Sequence, residues 1–197
     1  MKKLYTLLVL FAFGFSFGQE KLETAYDYQQ NMNRKFADST SSPLMKEDLS
    51  HFKSLDFFPI DESYIVHAVF TRIEGITFEM KTTTERKPKY RIYGELKFQL
   101  GKKDLKLLVY QNLDLMKKPG YEDYLFLPFS DLTNGKESYI GGRYLDMRIP
   151  NSNEVVIDFN KAYNPYCAYN YKYSCPIVPM ENDLDIEIKA GVKKFHD

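Results

Sequence analysis

The chain has 197 residues and balances 27 basic against 27 acidic side chains, so it lacks the basic surplus that a nucleic-acid binder carries. Its length suits one compact domain with a real core. Tyrosine (16) and phenylalanine (15) are abundant and tryptophan is absent, a composition suited to half-buried strands or to a pocket walled by polar-tipped rings.

The first residues, MKKLYTLLVLFAFGFSFGQE, place Lys2 and Lys3 before an apolar run from Leu4 to Phe17, with small Ser16 and Gly18 before Gln19. This is the pattern of a secretory signal peptide over residues 1–18, cleaved near Gly18. The run is short for a bilayer span, which needs about 20 residues, so the mature form is expected to be exported, periplasmic or secreted, without a membrane span. The remainder reads as one domain, helical over 19–56 and all-β over 57–197.

Leu22, Ala25, Tyr26, Gln29, Met32, Asn33 and Phe36 recur at three and four, which predicts an amphipathic helix over Glu20–Ala37. Pro43 suits a first helical position, so Leu44–Phe52 is expected to form a second, short helix. Beyond Phe57 the period becomes two. Strands are predicted over Tyr64–Arg72, Thr77–Thr82, Tyr90–Leu100, Leu105–Leu113, Asp123–Phe129, Glu137–Tyr144, Glu154–Phe159 and Leu184–Ala190. In the third, Tyr90, Ile92, Leu96, Phe98 and Leu100 alternate with charged or polar neighbours, which places them on one face. Gly101-Lys102 and Asn134-Gly135 mark tight turns. The fold class is mainly β: an antiparallel sandwich or partly open barrel of about eight strands, with one or two N-terminal helices.

No Gly-rich phosphate loop, HExxH, GxSxG or CxxC occurs, so no catalytic signature names a reaction and no cofactor is implied. His51, His67 and His196 are isolated in sequence, and His67 alternates with Ile65 and Val69 as an ordinary sheet residue. Asp183, Asp185 and Glu187 share one face of the last predicted strand; alternation alone accounts for them, and no metal site is expected.

Polar residues concentrate in "LPFSDLTNGKESYIGGRYLDM" and "VVIDFNKAYNPYCAYNYKYSCPIVPMENDLDIEIKAG". Arg143 is drawn inward by its apolar neighbours and needs a carboxylate, from Asp158 or Asp146, either as a structural ion pair or as an anion clamp at a pocket. Asn160, Asn164 and Asn182 serve turns, or converge with the hydroxyls of Tyr139, Tyr144 and Tyr166 on one cavity. Cys167 and Cys175, with seven residues between them, fit a disulfide in an oxidising compartment, whose loop closure would contribute roughly 2.5 kcal/mol. Buried free thiols, metal binding and catalysis are the other readings.

These two segments, with "SPL" at Ser42–Leu44 and "LDFFPIDESYIVHAVF" upstream, resemble a bacterial family of unknown function, DUF1684, over most of the mature chain. The resemblance implies no activity. It implies signature positions at Phe129, Asp131, Thr133, Gly135, Tyr139, Gly142, Arg143, Tyr144, Asp158, Asn160, Asn164, Pro165, Cys167, Cys175, Pro176, Asn182 and Gly191. Val192 stands where similar proteins carry an acid, and "TTTERKPK" replaces their Thr-Ser-x-Gly turn. Some similar proteins have the cysteine pair without an export signal, which weakens a purely compartment-driven disulfide. Three functional readings follow: a small polar or anionic ligand bound near Arg143, Asp158, Asn160 and the cysteine loop; a hydrolase or thiol-dependent enzyme using Asp158 with Arg143, or Cys167; and a purely structural polar network. Oligomeric state is not encoded in any of these features.

Overall fold

The computed structural model of the protein describes residues 23–196; the expected signal peptide, and the start of the first helix at Glu20–Leu22, lie outside the described residues. Helix α1 spans Ala25–Ala37. Its N-cap is Thr24, whose side chain accepts a hydrogen bond from the Asp27 backbone, so the helix starts later than its periodicity suggested. Ala25, Gln29 and Phe36 form the buried stripe, and Tyr26 points to solvent. Helix α2 is the single turn and a half Lys46–His51. Among the described residues no helix is long and apolar enough to cross a membrane.

Eight strands follow: β1 Ile65–Arg72, β2 Thr77–Glu79, β3 Lys89–Leu100, β4 Lys103–Asn112, β5 Tyr124–Asp131, β6 Arg143–Arg148, β7 Glu154–Asp158 and β8 Asp183–Leu184. They make one sheet in the order β6-β5-β4-β3-β1-β7, with β2 beside β3 and β8 beside β5. The sheet curls into a half-barrel, the partly open form of the expected all-β fold. Its edge strands β6 and β7 approach each other without pairing along their length. At one end Tyr144 and Tyr163 exchange backbone hydrogen bonds of 2.8 and 3.0 Å, and α1 crosses the gap beside them, with Gln29 donating to the Asn160 carbonyl at 3.0 Å.

The interior is filled by Leu96, Leu107, Val109, Leu125, Leu127, Phe129, Leu145, Ile157 and Phe159. Alternate residues of the same strands build a second, aromatic cluster on the outer face: Tyr90, Tyr110, Phe126 and Tyr144, with Met80. A third cluster joins Phe36 of α1 to Leu44, Leu55, Tyr169 and Val192. Both faces of β5 and of the second half of β4 are therefore buried, which explains their near-continuous apolar runs, whereas β6 is buried only over Arg143–Leu145.

Four expectations are corrected. In β3 a bulge between Ile92 and Gly94 reverses the alternation, so Tyr90 and Ile92 join the outer cluster while Leu96, Phe98 and Leu100 face inward. The bulge brings Phe70 against the bare backbone of Gly94, where a Cβ would sit 2.3 Å from its ring. Residues 137–142 are a loop, and the strand begins only at Arg143. The reason is Gly142, held at φ +86° with its missing Cβ facing the Phe129 carbonyl, a conformation closed to other residues. The last predicted strand shrinks to two residues and runs parallel to β5. After it the Ile188 N–H goes to the Asp131 side chain at 3.2 Å in place of a strand partner. The Gly101-Lys102 turn does close the β3–β4 hairpin, whereas Asn134-Gly135 lies in a tight loop rather than between two paired strands.

Candidate functional site

Arg143 opens β6 with its side chain inside the barrel and fully buried. Its Nη2 donates to Asp131 Oδ2 at 2.7 Å and to the Ile188 carbonyl at 2.7 Å, and its Nη1 donates to the Ala190 carbonyl. Phe129 and Phe58 lie against the guanidinium at 5.2 and 5.8 Å. Burial presses its pKa down, and the charge of Asp131 opposes that. The carboxylate partner is thus neither Asp158 nor Asp146. Asp131 Oδ1 also accepts from the Thr133 N–H at 2.9 Å and from its hydroxyl at 2.7 Å. The pair ties the C-terminal segment to β5 and β6, and neither residue lines the groove or the cavity described below.

The asparagines are backbone substitutes. Asn182 Oδ1 accepts from Leu108 N at 2.8 Å, while its Nδ2 donates to the carbonyls of Leu108 at 2.9 Å and Pro128 at 2.6 Å. Pro128 has no N–H to give β4, and the amide spans the resulting break in the ladder. Asn160 exchanges hydrogen bonds with Asp61, from Asp61 N at 3.0 Å and to Asp61 O at 2.9 Å. Asp158 accepts from the backbone and side chain of Asn160, both at 3.0 Å, and edges a small groove of about 170 Å³.

Directly across the sheet from Arg143, on its outer face, lies a cavity of about 540 Å³. Its floor is Tyr90, Tyr124, Phe126, Tyr144 and Asp146, one wall is α1 with Tyr28, Asn31, Met32, Lys35 and Phe36, and the other is the loop bearing Tyr163, Asn164, Pro165, Tyr166, Tyr173, Ser174 and Cys175. That loop is stitched to the segment after β2 by Thr83 N to Cys175 O and Ile177 N to Lys81 O, both 2.9 Å. Of the candidate residues, Tyr144, Asn164 and Tyr166 line this cavity. Arg143, Asp158, Asn160, Asn182 and Tyr139 do not.

At the floor, Tyr124 and Tyr163 both donate to Asp146 Oδ1, at 2.7 and 2.6 Å, and Tyr144 donates to the Pro176 carbonyl. Burial, reinforced at Tyr124 and Tyr163 by Asp146, raises all three phenols, so they stay protonated. Sequence reasoning weighed Asp146 only as a partner for Arg143 and passed over Tyr28, Tyr124 and Phe126. The parity of Tyr124 and Phe126 in β5, and of Tyr144 and Asp146 in β6, was the available signal.

Cys167 and Cys175 are free thiols at one side of this wall. The Cys167 N–H donates to Cys175 Sγ at 3.2 Å, and the Tyr139 hydroxyl lies 4.0 Å from Cys167 Sγ. Hydrogen bonding from Cys175, aided by Tyr139 and Thr83, brings Cys167 down to about 6 against the effect of burial. Cys175 is pushed up correspondingly. Asp183, Asp185 and Glu187 go to separate partners: Ser130 at 2.6 Å, Lys103 at 3.0 Å and Lys189 at 3.4 Å. Among the described residues no group of three His, Cys, Asp or Glu side chains is placed to hold a metal ion. His67 lies on the exposed face of β1.

No curated protein matches the chain. It is similar to the solution NMR structure of an uncharacterized protein of Haloarcula marismortui, with 31% identity and a TM-score of 0.66, over 84% of this chain and 89% of that one. The family model for a protein of unknown function, DUF1684, matches residues 50–193. The chain therefore belongs to the DUF1684 family.

Proposed function

We propose that this protein works outside the cytoplasm, after loss of residues 1–18, and binds a small molecule in the cavity between α1, the outer sheet face and the cysteine loop. The observation that carries the reading is the cavity itself. Its size falls within the range of small-molecule sites, and it combines apolar ring surface with a few oriented polar groups. Three separate parts of the chain converge on it, although packing alone needs none of them to leave a gap there. The anion clamp drawn from Arg143 finds no support, because its two terminal nitrogens are bonded to Asp131 and to backbone carbonyls on the other side of the sheet and Arg143 does not line the cavity.

The test is a thermal-shift screen of a small-molecule library, repeated with Asn31→Trp. Asn31 is an exposed α1 residue at the cavity, so an indole there fills the space without disturbing the core. A compound that raises the melting temperature of the native protein, but not of Asn31→Trp, supports the reading. Equal shifts in both proteins place the binding elsewhere and overturn it.

A second reading is favoured by the acidity of Cys167: thiol chemistry beside the cavity. It requires the Cys167 thiolate to be reached by a substrate. Loss of a newly found turnover in Cys167→Ser, with binding retained, would select it over binding alone.

A further inference from the structure

The hydrogen-bond directions inside the cavity define the charge of what it holds. A phenol has one proton to donate. Tyr124 and Tyr163 direct theirs to Asp146, and Tyr144 directs its own to Pro176. These three hydroxyls therefore present only lone pairs, and their rings only π faces, to an occupant. Among the lining residues there is no arginine or histidine, and the charged side chains are Glu23, Lys35 and Asp146. Lys35 is exposed on α1, and its ammonium already lies 5.4 Å from the centre of the Tyr166 ring. An anion would thus meet the carboxylates of Asp146 and Glu23 with Lys35 as the one lining cation, and only neutral groups such as the Tyr28 and Tyr166 hydroxyls would remain to replace its water. A cation would meet a carboxylate, phenol oxygens and aromatic faces, the combination that recognises ammonium groups.

Resting on the small-molecule reading above, we propose that the cavity is specific for an organic cation: an amine or quaternary ammonium head directed to Asp146, on an apolar body packed against Tyr144, Phe126 and Tyr166. Lys35 is then the native chain's own competitor, an ammonium parked on one of the rings that the ligand would use. The charge preference resides in Asp146, and the shape preference in the rings.

Three matched probes test this by calorimetry on the intact protein: phenylbutyltrimethylammonium, its neutral isostere with carbon in place of nitrogen, and phenylbutyrate. The cation should bind about tenfold or more tighter than the neutral isostere, and phenylbutyrate should bind weakest. Asp146→Asn, which keeps the acceptor for both phenols, should bring cation and isostere to near equality. Lys35→Ala, at an exposed position of α1, should tighten the cation several-fold and the isostere by less, because only the cation also escapes the like charge. If the neutral isostere or the anion binds as well as the cation, the cation inference fails while small-molecule binding in the cavity stands. If none of the three binds, the cation inference fails too, and the screen with Asn31→Trp decides the broader reading separately.

Discussion

Arg143 and Tyr144 are consecutive residues of β6, and the sheet separates them: the guanidinium reaches inward to Asp131 at 2.7 Å, while the Tyr144 ring forms part of the cavity floor on the outer face. Substitutions at the two positions should therefore fail in different ways. Arg143→Ala leaves Asp131 as an uncompensated buried charge and should cost about 3–5 kcal/mol in urea denaturation. Asp131→Ala should cost at least as much, because it also strands the Thr133 and Ile188 groups that share its Oδ1. Tyr144→Phe keeps the ring and frees only the Pro176 carbonyl, so a loss of about 1 kcal/mol is expected. An Arg143→Ala protein as stable as the parent would show that the pair contributes nothing.

Asn182 provides a second stability test. Asn182→Ala leaves the N–H and C=O of Leu108 and the C=O of Pro128 without their partner, and should cost about 3 kcal/mol. Asn182→Asp retains the acceptor but turns both donor contacts repulsive, so it should be no better than Ala. Hydrogen exchange should reveal the same break locally, with the Leu108 amide losing protection before the rest of β4.

The thiols make a prediction with a pH axis. Alkylation of Cys167 by iodoacetamide should rise through a midpoint near pH 6, with Cys175 unreactive at neutral pH because its thiol is pushed up. Under oxidised glutathione, Cys167 attacks the disulfide and releases one glutathione thiolate; Cys175 then displaces the second. The intact mass should fall by two hydrogens, and Cys175→Ser should instead hold the mixed disulfide on Cys167. Modification of Cys175 first would reverse the assignment.

The buried phenols set an alkaline limit. Tyr28, Tyr124, Tyr144, Tyr163 and Tyr169 are all raised, chiefly by burial. A raised folded pKa means that their contribution is complete below the unfolded value of about 10 and is lost as the pH climbs above it. Each group removes about 1.4 kcal/mol per pH unit there. Unfolding should accordingly be abrupt above pH 10, with tyrosinate absorbance and loss of circular dichroism rising together. Tyrosinate that forms gradually in a still-folded protein would contradict the burial of these rings.

Much of the architecture is legible in the residues alone. Period-two alternation, the Gly101-Lys102 turn and the three-and-four spacing of α1 mark most of the strands, one hairpin and the helix, because side-chain direction follows local backbone geometry. Local pattern reports which residues share a face, and burial decides which face that is. In β5 both faces are covered, so Leu125, Phe126 and Leu127 read alike although alternate side chains point into different clusters. One extra residue at the β3 bulge transferred Tyr90 and Ile92 to the other side, an effect that strict alternation does not register.

Sequence by itself determined the tyrosine-rich, all-β character of the protein and the segments where its polar residues concentrate. Only the tertiary structure decided that Arg143 pairs with Asp131, that Asn160 and Asn182 stand in for backbone, and that Tyr124, Tyr163 and Asp146 meet on the outer face. Those choices depend on contacts between residues 12 to 99 positions apart, which chain closure and the curl of the sheet create together and no local spacing encodes.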